Sequence, residues 1–413
     1  MNETITATQT VTICRTCKLS KVEEVLDFGL QALSNRFRQQ GDGIEYKHPL
    51  KVGFCHNCGL VQLTSLVPIE EMRPRFSWIK YNEAEGHLDQ VADYLANLPG
   101  ITDKSKIVGL TYKEESLLRR LQAKDFVNTK TLDMQKHFGI EESCAGSETL
   151  QVRLNEEKAQ EIVEREGHAD IVIARHILEH TYDPYSFLAG LKTLVSPAGY
   201  LMVEIPDYAR IFGVLDYSFI WEEHASYFTF DTFRSTLAKA GFTFIRLDSY
   251  PYPSENCVVA ILSPQPSSGL EDMQIVDINK EEKRIRFYAD NYLEQKDLHK
   301  KAAADLAKQG KLAVFGAGHL AIHFINFLDL GEFIEVVLDD HPNKIGLRMP
   351  GSNVPIVRSD LLQNGDIRAC FSSLSPESQL KLNERQADFI AKGGSFYSLT
   401  RASKNALPLL RSK

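Results

Sequence analysis

Two Cys-x-x-Cys pairs, Cys14-Arg15-Thr16-Cys17 and Cys55-His56-Asn57-Cys58, constrain this chain more than anything else in it. A two-residue gap lets both thiolates of a knuckle reach one ion of tetrahedral preference, and the doubling of the motif is the spacing of a zinc ribbon. Gly59 follows the second pair, where a tight turn is needed. Four sulfur ligands leave no open coordination position, so the predicted Zn2+ is structural. A redox pair or chance pairing explains one Cys-x-x-Cys but not two. Cys144, Cys257 and Cys370 stand alone and read as small buried hydrophobes.

The chain has 413 residues, enough for two or three units that each bury a core. A formal net charge of -8 argues against a nucleic-acid backbone as partner. An anionic small molecule is still allowed, because helix N-termini and local arginines act independently of overall charge. No apolar run approaches the roughly 20 residues of a membrane span. The start MNETITATQT has neither the basic beginning nor the apolar stretch of a signal peptide, so a cytoplasmic protein with reduced thiols is expected.

Beyond the ribbon, hydrophobic patterning alternates between strands and helices. A polar, helix-like passage from Asn82 to Leu98 ends at Pro99-Gly100. Strands are predicted over Lys106–Leu110, Thr129–Leu132, Ala169–Ala174 and Gly199–Ile205. Helices are predicted through Leu117, Leu118 and Leu121, over Glu156–Glu166 and over Tyr185–Leu194. Such alternation implies a parallel sheet covered on both faces. Glu281–Gln309 reads as one long helix closed at Gly310. A second α/β block follows, with a strand over Leu312–Phe315, a turn Gly316-Ala317-Gly318-His319, a helix to Leu328 and a strand from Phe333 to Leu338 that ends in Asp339-Asp340. A glycine turn between strand and helix can offer backbone amides to a phosphate, although a lone Gly-x-Gly is equally a tight packing turn.

Several stretches together resemble one family. They are Cys14 to Cys17, Ala32-Leu33-Ser34-Asn35-Arg36-Phe37, Val52 to Leu63 and Arg175-His176-Ile177-Leu178-Glu179-His180. Further on come Glu223-His224-Ala225-Ser226-Tyr227-Phe228, Asp339 to Lys344 and Pro350-Gly351. In this order they are similar to the three-part sugar C-methyltransferases, which act on nucleotide-linked keto-deoxysugars. The resemblance implies a zinc-binding domain over 1–75, a class I methyltransferase Rossmann-like domain over 76–265 and a C-terminal Rossmann-like α/β domain over 266–413 that helps hold the nucleotide sugar.

It also implies a chemistry. A base removes the acidic proton beside the sugar ketone, and the enolate attacks the methyl group of S-adenosylmethionine. By match to the family's Glu-His motif, His224 is the candidate base, Glu223 its orienting or acid–base partner, and Tyr227 or Tyr217 a stand-in for the family's enolate-stabilising tyrosine, whose place Trp221 takes. Thr111, Glu114, Asp133, Arg175 and His176 are the cofactor candidates; Asn35, Arg36, Gly316, Gly318 and His319 are the substrate candidates. The spacing of His176 and His180 would suit a second metal, but the resemblance puts that segment beside the cofactor.

Two departures bear on the reaction. The glycine-rich cofactor turn is replaced by Thr111-Tyr112-Lys113-Glu114-Glu115-Ser116, and the segment before a later strand reads Pro253-Ser254-Glu255-Asn256-Cys257. Two other readings therefore stay open: an epimerase or isomerase of a nucleotide sugar that keeps the enolising base without a methyl donor, and an inactive binding homologue. The oligomeric state is left open.

Overall fold

Unbroken apolar runs bounded by glycine and acids become the central strands of two separate sheets. The computed structural model describes residues 13–80, 85–140, 145–252, 255–265, 276–401 and 403–407. The predictions that rest on Asn82-Glu83-Ala84, Cys144 and Pro253-Ser254 lie outside these residues. The chain divides into two compact units. The first comprises 1–23, 53–209 and 223–282, and the second 24–52, 210–222 and 283–413. Two of the five passages between them fall within β1 (Val22–Ala32) and β2 (Lys47–Cys55), the first two strands.

In the first unit, β3 (Val61–Leu63) is followed by β4 (Ile107–Gly109), β5 (Thr129–Thr131), β6 (Ala169–Arg175), β7 (Val195–Asp207), β8 (Ser226–Tyr227), β9 (Thr243–Tyr250) and β10 (Asn256–Ser263). Six of these form a sheet of order β5-β4-β6-β7-β10-β9, in which β10 alone runs against the others. The β6 run ADIVIAR lacks polar alternation because both its faces are covered. Ile171 and Ile173 pack under the helices Leu88–Ala96 and Glu115–Gln122, and Val172 and Ala174 pack on the opposite face with Phe187, Leu191 and Phe233.

The covering helices begin where side chains satisfy their free amides. Asn155 accepts from the Lys158 N–H at 2.8 Å to start Glu156–Glu166, and Asp183 accepts from Ser186 at 3.2 Å to start Pro184–Leu194.

The second unit contains a wholly parallel sheet of order β13-β12-β11-β14-β15. Its strands are β11 (Lys311–Phe315), β12 (Ile334–Leu338), β13 (Ile356–Val357), β14 (Ile367–Ser372) and β15 (Ser395–Ser398). This is the doubly wound arrangement in which the chain reverses direction of growth beside the first strand. The predicted turn is present: Gly316 has φ +93°, and a Cβ there would stand 2.4 Å from the Ser373 hydroxyl.

The single long helix predicted over Glu281–Gln309 is in fact two, Ile278–Asp290 and Tyr292–Ala307, parted at Asn291. Charge patterning alone does not reveal that break. In the second helix His299 is buried, and its Nδ1 lies 2.6 Å from the Gln295 carbonyl. Burial pulls its pKa down to about 4. A folded-state value below the unfolded one means that the unfolded chain binds the proton first as pH falls. The stability contribution is complete above pH 6.5 and drains away toward about pH 4. Between pH 7 and 4.5, His299→Leu should therefore lose roughly 2–3 kcal/mol less stability than wild type, measured by urea unfolding. Equal acid losses in the two proteins would show the imidazole to be uninvolved.

Candidate functional site

The four knuckle cysteines converge in the first unit. Their sulfurs all lie within 4.8 Å of one another, with Cys14–Cys58 and Cys17–Cys55 each at 3.5 Å. Tetrahedral thiolates at about 2.3 Å from zinc stand about 3.8 Å apart, so the donor set fits that ion with four sulfurs and no fifth position. The two knuckles have the same backbone: the residue after each pair is left-handed, Lys18 at φ 56° and Gly59 at φ 75°. Gln62 donates to the Cys14 sulfur at 3.2 Å, and the Ser20 hydroxyl lies 3.5 Å from that of Cys55, a second layer that orients the ligands.

Arg15, a knuckle residue that sequence reasoning passed over, is buried. Its guanidinium donates to the carbonyls of Ala225 and, at 2.9 Å, Leu63. Burial lowers its pKa to about 10. Together with the pairing of Val61 with Tyr227 and Gln62 with Ser226, this fixes the chain next to His224 to the metal knuckle.

Ligands of such sheets bind beyond the carboxyl ends of the strands. At that edge stand Thr111, Glu114, Arg175 and His176, all buried. Glu114 accepts from the Thr111 amide at 2.5 Å, the Thr111 hydroxyl at 3.0 Å and the Arg175 amide at 2.7 Å. Burial pushes its carboxyl up against those bonds. The Arg175 guanidinium donates from Nε to Glu204 at 2.6 Å and from Nη1 to the Lys113 carbonyl at 2.7 Å. Glu204 also meets His176 Nε2 at 2.9 Å and His87 Nε2 at 3.2 Å. Burial opposes ionisation of Glu204, yet the charges of Arg175 and His176 hold its carboxyl well below the usual range.

These four cofactor candidates stand together at the strand ends, and the Thr and Glu side chains that replace the glycines are hydrogen-bonded within the protein, to the neighbouring amides and to one another, while Arg175 and His176 meet Glu204. His176 shows the local strain, with φ 48°. Asp133 differs. It lies exposed just past β5, with Oδ1 accepting from the Lys136 amide at 2.8 Å as the cap of Met134–Phe138.

His224, Glu223 and Tyr227 follow on and around β8, all buried. The hydroxyl that reaches the His224 imidazole is that of Tyr208, 2.5 Å from Nδ1; the Tyr227 ring instead packs edge-on to Tyr208 at 4.8 Å. Glu223 contributes its carbonyl to His180, whose ring stands edge-to-face to His224 at 4.6 Å. Burial, with Lys113 and His176 nearby, holds His180 well below its ordinary pKa and so neutral. Tyr208 ends the Gly199-to-Asp207 run, and only this fold brings it to position 224.

The substrate candidates lie in the second unit, as does Tyr217. The latter is buried, with its hydroxyl donating to the Tyr288 carbonyl at 2.8 Å. Asn35 is buried and Arg36 stacks on Tyr46 at 5.3 Å. Beside them the Glu222 carboxylate accepts from the Ser34 amide at 2.5 Å and hydroxyl at 2.8 Å, and lies 3.3 Å from His323 Nε2. The Trp221 indole N–H donates to the Ser34 hydroxyl at 2.7 Å, and its ring lies flat on His319 at 4.5 Å. In the Gly316–Gly318 turn the Ala317 amide donates to Asp339 at 2.8 Å, and Lys344 reaches the same carboxylate at 3.1 Å. Asp339 and Lys344 are thus part of the turn, which residue spacing alone did not reveal. Among the described residues no helix is long and apolar enough to cross a membrane.

Three family profiles match in succession: a proposed zinc binding domain over residues 14–72, a methyltransferase domain over 116–247 and a C-methyltransferase C-terminal domain over 271–399. Among curated proteins the chain is 24% identical over 223 residues to the C-methyltransferase NovU of Streptomyces niveus, covering 52% of this chain and 52% of that one. The chain thus spans about half the length of this curated relative. Solved structures with similarity include a 1,6-didemethyltoxoflavin-N1-methyltransferase of Burkholderia thailandensis with bound 1,6-didemethyltoxoflavin and S-adenosylhomocysteine, at 11% identity and a TM-score of 0.30 over 44% of this chain and 80% of that one. Another is an O-methyltransferase family protein of the same species, at 13% identity and a TM-score of 0.28 over 45% and 58%. With a four-thiolate knuckle, a mixed α/β sheet and these three profiles in order, the chain carries a zinc-binding domain, a methyltransferase domain and a C-methyltransferase C-terminal domain.

Proposed function

We propose that the protein is a C-methyltransferase that uses S-adenosylmethionine and acts on a nucleotide-linked keto-deoxysugar through an enolate made by His224. The observation that carries this reading is the Tyr208–His224 contact of 2.5 Å at a buried imidazole. In the tautomer with hydrogen on Nδ1, the Tyr208 oxygen accepts and Nε2 carries the lone pair. An imidazole with an unperturbed pKa near ~6.5 can then take the proton beside a ketone at neutral pH. When bound, the cofactor supplies an electrophilic methyl group. Asp133 holds its ribose hydroxyls. The ion pairs of Arg175, Glu204 and His176 act as rigid backing for the strand ends. Asn35, Arg36 and the Gly316–His319 turn belong to binding of the nucleotide sugar, and Glu223 positions His180.

The test is transfer of labelled methyl from S-adenosylmethionine to nucleotide-linked keto-deoxysugars. His224→Ala should lower kcat by about 1000-fold while leaving the fold, read by circular dichroism, in place. Tyr208→Phe should shift the pH profile of kcat. A His224→Ala protein as active as wild type would remove the base assignment.

One observation favours a second reading, an epimerase or isomerase: the side chains of Thr111, Glu114, Arg175 and His176 are engaged with one another rather than offered to a methyl donor. Solvent deuterium entering the sugar without added cofactor, and no methyl transfer with it, would establish that reading in place of the first.

A further inference from the structure

The zinc knuckle is not the sole group of metal-ligating side chains in the first unit. Glu179, His180 and His224 each bring one ligand atom within 4.8 Å of the others, all buried. Tetrahedral nitrogen and oxygen donors at about 2.0–2.1 Å from an ion stand about 3.4 Å apart, so modest side-chain rotation closes the triad on a cation. The Glu179 carboxylate points to one. It is 1% exposed, and neither of its oxygens accepts a hydrogen bond among the described residues. Its one ionic neighbour, His176 Nδ1, stands at 3.5 Å, beyond ordinary N–H···O distance, while Nε2 of the same ring lies 2.9 Å from Glu204. A buried carboxylate left this way costs free energy that a cation would recover. Each imidazole is also oriented from behind, His224 by the Tyr208 hydroxyl and His180 by the Glu223 carbonyl, the support that metal-ligating histidines usually have.

We propose that Glu179, His180 and His224 form a second metal site, for a divalent transition ion of the zinc class. Two imidazoles and one carboxylate suit zinc, cobalt or ferrous iron and leave one coordination position open. The ion takes the same lone pair that proton abstraction needs, so the loaded form is a resting state released by loss of metal. This consequence for turnover rests on the role of His224 proposed above; the binding itself does not.

The experiment is metal stoichiometry on the full chain, equilibrated with Zn2+ or Co2+, desalted and measured by elemental analysis, with no substrate present. Wild type should carry two ions, one ligated by sulfur alone and one by nitrogen and oxygen, which X-ray absorption of the cobalt form distinguishes. Glu179→Gln should retain the sulfur-ligated ion and bind the second more weakly by at least about 100-fold. A wild-type protein with one ion and only sulfur ligands overturns the proposal, and so does a folded Glu179→Gln that keeps both ions. Should that variant not fold, the wild-type absorption spectrum alone decides. Failure of His224 as a base would appear instead in turnover of the metal-free centre, so the two outcomes are separable.

Discussion

Cys55→Ser, or prolonged treatment with a strong chelator, should release the structural zinc and lower the melting temperature by more than about 10 °C. Structural zinc contributes on the order of 10 kcal/mol to the folding of small metal-organised domains. The effect is large here because Cys14, Cys55 and Cys58 pack in the same apolar core as Leu60, Val172 and Val258. Removing the ion leaves buried thiols crowded together with nothing to hold them. Elemental analysis should show the loss of this ion, and readdition of Zn2+ should restore the melting temperature in wild type but not in the variant. A zinc-free wild-type chain that melts where the loaded one does would disprove a structural role.

The second large effect belongs to the ion pair at the strand ends. Arg175→Met leaves the Glu204 carboxylate buried without its guanidinium, and breaking such a pair from one side costs about 3–5 kcal/mol. The melting temperature should drop by about 10 °C. Arg175→Met combined with Glu204→Leu removes the stranded charge and should recover much of that loss, since burying a charge pair is seldom better than apolar packing. Circular dichroism melts of the two single variants and the double variant measure the coupling. A single variant within about 2 °C of wild type would mean that water or another cation reaches Glu204.

The parts of the molecule legible in the sequence are those fixed by short-range pattern. The doubled Cys-x-x-Cys specified its metal cluster, and Glu156–Glu166, with its capping Asn155 and closing Gly167, matched its prediction residue for residue. The strands over β6, β11 and β12 were visible because they are buried on both faces, which leaves an uninterrupted apolar run.

The illegible parts depend on distant partners. Nothing local to Arg15 says that its guanidinium ends on Ala225, and nothing local to Tyr208 says that its hydroxyl meets His224. The resemblance made Thr111, Glu114, Arg175 and His176 cofactor candidates, and the structure groups them at the strand ends. Their shared partner was not legible, because it is Glu204, on another strand, whose side chain collects Arg175, His176 and His87.

The guanidinium that joins the first knuckle to Ala225 has a consequence for how the molecule matures. The peptide bearing the imidazole is held by a hydrogen-bond donor that sits between two of the cysteines, so its order should depend on their closure around the ion. Competence should then follow metal supply as a late, all-or-none event in each molecule. Chains made without zinc should then show a loose segment around position 224 that tightens when the ion is supplied.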